Sequence, residues 1–527
     1  MLDLEMSSTR VVGMVFLAGI FVLIQRLSTP RLEPSEPPLL KPRIPLVGHI
    51  VGLLWHRMSY FQIINKRKPM PVATLPILHN KVYAIWSPDL VQSALRNKQM
   101  TFDPFMLDFS KTALGLSDHS MAALEGDGGL DESLNSETIT AMKVAMTGQN
   151  LYRTNVNALG SIKSRLNVIN EEGITIPNLY LWLRELMTQA TVEALYGEAN
   201  PMKHDPSLID ALWGFETNLM PLMIGVLPGI FARVASRHRA RLQNALYKYY
   251  NARLDEKPDV AQVTKARINL LREHGFSMAE AAKAELALPF VATTNTIPIT
   301  YWMTAWIWLD RDLVQCIRDE VTQIIALVDG GDRADDTAAS GRKFRRRATL
   351  DITQLEEKCP LLVSCYRETM RIGNQLIGTR RVMQDTVLTD ADGRSYLFKK
   401  GYDVVWSGKY LHRQQDTWGK DAEDFSGARF MAAKLPDDLQ KKKKASYVPF
   451  GGGKHLCPGR NLAFAEILGF TAAMVVGYEL DWLDKANSRS PTAFLVGAIA
   501  KPSPGEEGSA TLKRREGWQD VQWDFAC

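Results

Sequence analysis

Apolar and polar residues alternate through residues 72–86, and this period of two predicts a strand hairpin turning at His79-Asn80. Helical patterns take over elsewhere. Residues 179–197 read as a helix. Residues 213–230 are strongly apolar and 232–254 form a basic amphipathic helix, and core packing is the expectation for both. From Asn461 onward, Leu462, Ala463, Ala465, Ile467 and Leu468 give a helix with a broad apolar face. Residues 286–309 carry no charge, and hydropathy alone would read them as a membrane span. Pro289, Pro298, Asn295 and four threonines (Thr293, Thr294, Thr296, Thr300) crowd the middle of that stretch, which suits a buried helix whose centre faces a cavity. Pro298 cannot donate to the carbonyl four residues back, so the helix should open near Thr294. Threonines bonded back to their own helix are the alternative.

The N-terminal pattern differs. Residues 11–24 (VVGMVFLAGIFVLI) are an unbroken apolar run, about 21 Å long as a helix at 1.5 Å per residue. Arg10 and Arg26 can snorkel, and no small-residue cleavage site follows, which favours an uncleaved anchor over residues 1–28. Asp3 and Glu5 precede the run, whereas Arg26, Arg31, Lys41 and Arg43 follow it. The positive-inside rule then leaves the body of the protein in the cytosol, on a single-pass anchor suited to the thinner endoplasmic-reticulum membrane. Pro30, Pro34, Pro37, Pro38, Pro42 and Pro45 make residues 29–45 a stiff, helix-forbidding hinge. Residues 125–137, 329–347 and the lysine tract 441–444 read as loops.

Composition narrows the class. Hydrophobic content of 46% with 23% charged residues is that of a globular chain with a sizeable core. A formal charge of +5 on 527 residues does not point to nucleic acid. Five irregularly spaced cysteines argue against a disulfide scaffold and fit a reducing compartment.

Candidate chemistry concentrates in residues 447–466, YVPFGGGKHLCPGRNLAFAE. Gly451, Gly452 and Gly453 permit conformations and close approaches closed to any residue with a Cβ. Cys457 then stands at the start of a helix, where unpaired N–H groups and the dipole favour a thiolate. A flat ligand could lie against the glycine backbone, and a thiolate under a flat macrocycle is the arrangement of a Cys-ligated haem. A buried cysteine beside a glycine turn is the simpler alternative. Zinc held by His455 and Cys457 lacks a second ligand pair.

The spacing Phe450-x-x-Gly453-x-x-x-Cys457-x-Gly459 resembles the haem-binding signature of the cytochrome P-450 superfamily, the haem-thiolate monooxygenases. The stretch 178–201 is similar to the sterol 7α-hydroxylase and prostacyclin-synthase branch. The resemblance implies a fold that is mainly α with a small β region, occupying residues 46–527 as one catalytic domain. It implies heme b with Cys457 as the iron ligand and Phe450 and Gly453 in the binding loop. Arg380 and His455 would bind its propionates. Residues 291–298 (VATTNTIP) resemble the family's central helix, with Asn295 where an acid is usual and Thr296 at the usual alcohol. Thr296 with Asn295 would relay protons through water to dioxygen. Glu368 and Arg371 lie on one helix face, and with Arg429 they look like the family's buried triad. The proline and glutamate usual before that arginine are replaced by Gly427 and Ala428. Electrons would come from NADPH through a separate cytochrome P-450 reductase, for which the lysine tract is a possible docking patch. The expected reaction is oxidation of a lipophilic sterol, terpenoid or polyketide-type substrate, in secondary metabolism. A haem-thiolate isomerase or dehydratase that needs neither dioxygen nor reductase is the competing reading, kept open by Asn295.

Overall fold

The alternation at residues 72–86 folds as two antiparallel strands, Val72–Ile77 and Asn80–Ile85, with Val72 opposite Ile85. They begin a five-stranded sheet completed by Asp403–Ser407, Ile377–Val382 and Met100–Thr101. The computed structural model describes residues 31–42, 48–57, 59–77, 80–126, 133–225, 227–329, 344–431, 435–486 and 497–527. The apolar run 11–24, the hairpin turn at 78–79, and much of the expected loops at 125–137 and 329–347 lie outside these residues.

The chain forms two compact units. One comprises Met1–Phe102, Leu376–Thr417 and Asp437–His455, and the other Asp103–Gln375, Trp418–Pro436 and Leu456–Cys527. Each unit is assembled from three separated stretches, and no linker composition marks such a division.

In the first unit, part of the expected spacer belongs to the sheet. Thr74 N–H donates to Pro38 O and Leu40 N–H to Thr74 O, each at 2.9 Å. Buried Glu36 accepts from Lys81 and, at 2.6 Å, from the Tyr83 hydroxyl. Proline lacks an N–H but keeps its carbonyl, so a proline-rich segment can still accept along a sheet edge. The lysine tract, expected as a loop, lies in the helix Asp437–Ser446, where Lys442 pairs with Asp416.

Six helices of the second unit matter here: α1 (Leu179–Tyr196), α2 (Ser207–Thr217), α3 (Ala287–Thr293), α4 (Thr296–Trp308), α5 (Pro360–Gly373) and α6 (Arg460–Gly477). Every residue of α4 is buried, as expected of a helix apolar on all sides. Helix α6 is long and apolar enough to cross a membrane, yet 78% of it is buried inside the protein, so it is a core helix. Two three-stranded sheets complete the unit.

Core packing fails for part of the 213–230 stretch. Trp213, Phe215, Leu219 and Leu222 are buried, but Ile224, Leu227, Ile230 and Phe231 are about 60% exposed. The chain turns at Gly225 and Leu227, both at positive φ, and the short helices Leu219–Ile224 and Pro228–Phe231 form a tip that leaves these side chains uncovered.

Glu466 is buried on α6, and its Oε1 accepts from the Thr191 hydroxyl on α1 at 3.0 Å. Burial raises its pKa from 4.5 to about 8, only partly opposed by that hydrogen bond. The folded state therefore binds this proton more tightly than the unfolded chain. The resulting stabilisation is complete below about pH 4.5 and is lost as pH rises through about 8. Glu466→Gln should flatten the fall in unfolding free energy across that window, as read by chemical denaturation at several pH values. An unchanged slope would refute the assignment.

Candidate active site

In the first unit, strand alternation selects Arg380. Gly378, Arg380 and Val382 share the buried face of Ile377–Val382, while Arg381 turns outward to Asp403 at 2.7 Å. The Trp406 indole lies over Gly378, where a Cβ would meet it at 2.0 Å. That ring and Phe102 flank the Arg380 guanidinium at 5.6 and 5.9 Å. Arg380 also donates to the carbonyls of Thr379 (2.7 Å) and Gly452 (3.3 Å), which ties the strand to the glycine turn. Phe450 is half-buried at the turn preceding the glycines. Gly451 and Gly453 take positive φ, and a Cβ on Gly453 would come within 1.9 Å of Leu95 O. No other residue fits there. His455 follows, its Nε2 accepting from Phe102 N–H at 3.2 Å, so the ring proton belongs on Nδ1. The Thr101 hydroxyl is 3.0 Å from the same nitrogen. Arg380 and His455 thus stand in one unit with the glycine turn, where they could meet anionic groups of a ligand.

In the second unit, Cys457 lies just before α6, whose N-cap is Gly459. Burial pushes the Cys457 thiol up, while backbone N–H groups of Gly459 and Arg460 and the Arg460 charge act in the opposite direction on the sulfur. A sulfur that receives N–H donors is suited to be an anionic, soft metal ligand. On α5, Tyr366 is buried, packs edge-on against Phe464 at 5.5 Å, and its hydroxyl has no hydrogen-bond partner among the described residues. Its pKa is raised by burial and by the neighbouring Cys457. Among the described residues no group of three His, Cys, Asp or Glu could hold a metal ion.

The structure brings Glu368, Arg371 and Arg429 together. Arg371 binds Glu368 through two bonds, Nε–Oε2 at 2.7 Å and Nη2–Oε1 at 2.8 Å, with both side chains fully buried. Arg429 Nε donates to Glu368 Oε1 at 2.8 Å. The two arginines also take the carbonyls of Ala422, Trp418 and Asp421, and Ser426 N–H donates to the glutamate. Gly427 stands where a Cβ would crowd Cys365 and Leu313 at 3.0 Å, which explains the glycine before Ala428 and Arg429.

The central helix does open where expected: α3 ends at Thr293 and α4 begins at Thr296. The threonine hydroxyls are bonded back. Thr293, Thr294, Thr296 and Thr300 donate to Pro289, Phe290, Ala292 and Thr296 carbonyls at 2.7–3.0 Å. This is the back-bonding alternative, in which each hydroxyl takes a carbonyl four residues behind it. Asn295 also departs from expectation: its Oδ1 accepts from Ala498 N–H at 3.1 Å. Val291, one turn before Asn295, is 50% exposed on a helix otherwise largely covered.

Sequence reasoning missed Thr101, Phe102, Tyr366 and Ala498. Tyr366 lies two residues before Glu368 on the motif helix and could have been found there; the others carry no local signal.

The sequence model described as cytochrome P-450 matches residues 37–506. A cytochrome P-450 monooxygenase of Gibberella zeae is 35% identical over 99% of this chain and 97% of its own length. The monooxygenase nodJ of Hypoxylon pulicicidum is 26% identical over 94% of this chain and 93% of its own. Cholesterol 7-alpha-monooxygenase of Cricetulus griseus is 24% identical over 90% and 92%. Among solved structures, the retinoic acid-bound cyanobacterial CYP120A1 superposes with a TM-score of 0.65 at 17% identity, covering 92% of this chain and all of that one.

Proposed function

The chain belongs to the cytochrome P-450 family, and on that premise we propose that it oxidises a lipophilic sterol, terpenoid or polyketide-type substrate with dioxygen and electrons delivered from NADPH by a reductase. The single observation that supports this reading most is the sulfur of Cys457 receiving backbone N–H groups beside a helix start. Family membership makes the chain a haem-thiolate oxidoreductase with cysteine-ligated iron. The residues present fit that group: a soft donor at Cys457, a glycine turn with no room for a Cβ, and a buried tyrosine hydroxyl without a partner among the described residues. Cys457 would ligate the iron, and Arg380 and His455 would bind the propionates.

Bound haem supplies dioxygen activation, with the thiolate favouring O–O cleavage. The chain's own residues manage protons and substrate. Thr296 Oγ1 donates to Ala292 O at 3.0 Å, so its lone pairs accept from a water, and rotation of the hydroxyl hands a proton onward. Thr296→Ala should therefore uncouple NADPH oxidation from product and release peroxide, with product formation falling by about 10²–10⁴-fold. The ratio of product to NADPH consumed is the measurement. Full coupling in the variant would defeat the relay, and product formed without NADPH would install the isomerase reading.

The proposed substrate class is supported by the relatives, which are fungal monooxygenases and a sterol-acting enzyme by name. Single-pass attachment to the endoplasmic-reticulum membrane, with the catalytic region cytosolic, is supported by the apolar run 11–24. The exposed tip at 224–231 also supports it. It is followed by Arg233 and Arg237, in a stretch from 217 to 254 that has no acidic residue. Alkaline carbonate washing of microsomes should leave the chain in the pellet; release into the supernatant would overturn a spanning anchor.

A further inference from the structure

Asn295 stands at the break between α3 and α4, and its amide oxygen is occupied. Ala498 N–H donates to Oδ1 at 3.1 Å. The segment 497–501 is held at several other points. Gln375 N–H donates to Ala498 O at 2.7 Å, and Ala500 N–H donates to Gly373 O at 3.1 Å. The indole N–H of Trp302 on α4 donates to Ala500 O at 2.7 Å. Lys501 pairs with Glu216 of α2, a carboxylate whose side chain is 4% exposed. Two side chains of the central helix region, Asn295 and Trp302, thus take the main-chain groups that residues 373–375 leave over.

We propose that Asn295 is a positioning residue that fixes the 497–501 strap beside Thr296, so that the strap forms a wall deciding which bulky ligands the site admits. This rests on the haem-thiolate reading above. Two further observations locate the wall. The tether joins the strap to the residue directly preceding the hydroxyl assigned to the reaction. Val291, four residues before Asn295, is the half-exposed side chain of α3. In this account the residue at 295 serves as a hydrogen-bond acceptor, and its inability to release a proton is immaterial.

The test is titration of the ferric holoenzyme, full chain, with two nitrogen ligands followed by the shift of the haem absorption band. Imidazole is small and reports on the iron alone; clotrimazole carries a bulky apolar body that must pack against the walls. Asn295→Ala leaves Ala498 N–H without its acceptor, and clotrimazole affinity should fall roughly tenfold while imidazole affinity changes by less than about twofold. Asn295→Asp keeps an acceptor at the same place and should bind both ligands like the parent. A proton-relay role predicts no azole effect at all, because neither ligand takes a proton from the chain. Unchanged clotrimazole binding in Asn295→Ala, or Asn295→Asp behaving like Asn295→Ala, overturns the proposal. If Asn295→Ala loads too little haem to titrate, Ala498→Pro removes the same bond from its donor side and carries the same expectations. The parent chain is first checked for the thiolate-type band of its reduced carbon monoxide complex. Its absence would defeat the haem-thiolate reading, a failure separate from that of the tether.

Discussion

Cys457→Ala is expected to abolish the red-shifted, thiolate-type absorption band of the reduced carbon monoxide complex and with it all turnover. Cys359 and Cys365 are buried, their thiols raised by burial and by the Glu320 carboxylate, and each bonds to a carbonyl of its own surroundings. The donors that act on the Cys457 sulfur are the backbone N–H groups of Gly459 and Arg460, which remain in the variant and then face no anion. Removing outer-shell partners of a metal site typically costs about 10–100-fold, so loss of the protein's own ligand should exceed that range. Cys457→Ser distinguishes ligation from packing. It keeps a donor atom of similar size but offers a harder oxygen, and it should likewise lack the thiolate band. A red-shifted band that survives in Cys457→Ala would remove this residue as the ligand and the haem-thiolate assignment of this site with it.

Glu368→Ala should yield little folded, haem-loaded protein. The carboxylate accepts from Arg371 twice, from Arg429 and from Ser426 N–H, with no exposure of its own. Its removal leaves a fully buried guanidinium at Arg371 without its counter-charge, and breaking one partner of such a group costs roughly 3–5 kcal/mol. That is about a fifth or more of the roughly 5–15 kcal/mol by which whole domains are stable. Arg371→Lys should be nearly as harmful, because a single ammonium cannot make the paired bonds to both carboxylate oxygens while also reaching Ala422 O. Arg429→Ala should be milder. Asp421, its second acidic partner, is largely exposed and can be hydrated once the arginine is gone. Urea midpoints and the haem-to-protein ratio rank the three variants. Normal stability and haem content in Glu368→Ala would show that these contacts contribute no structural role.

The sequence by itself determined what depends on neighbouring residues. The period of two at 72–86, the glycines before Cys457, the helix starting after it, and the opening that Pro298 forces near Thr294 are consequences of local backbone chemistry. All of them are present in the structure. Glu368 with Arg371 was legible because three residues along a helix bring two side chains to one face. Arg429 could be proposed only through the family resemblance, since its bond to Glu368 spans sixty-one positions. What only the tertiary structure decided are the contacts made across long sequence separations. His455 meets Phe102, Arg380 reaches the Gly452 carbonyl, and Asn295 accepts from Ala498. Burial was decided there as well. Trp213, Phe215, Leu219 and Leu222 are no more apolar than Ile224, Leu227, Ile230 and Phe231, yet the first four lie in the core and the others do not. Hydrophobicity is a property of a side chain, whereas exposure depends on which other segment packs over it. The same holds for Asn295: its chemistry is written in the sequence, but the partner that claims its oxygen is set by the fold.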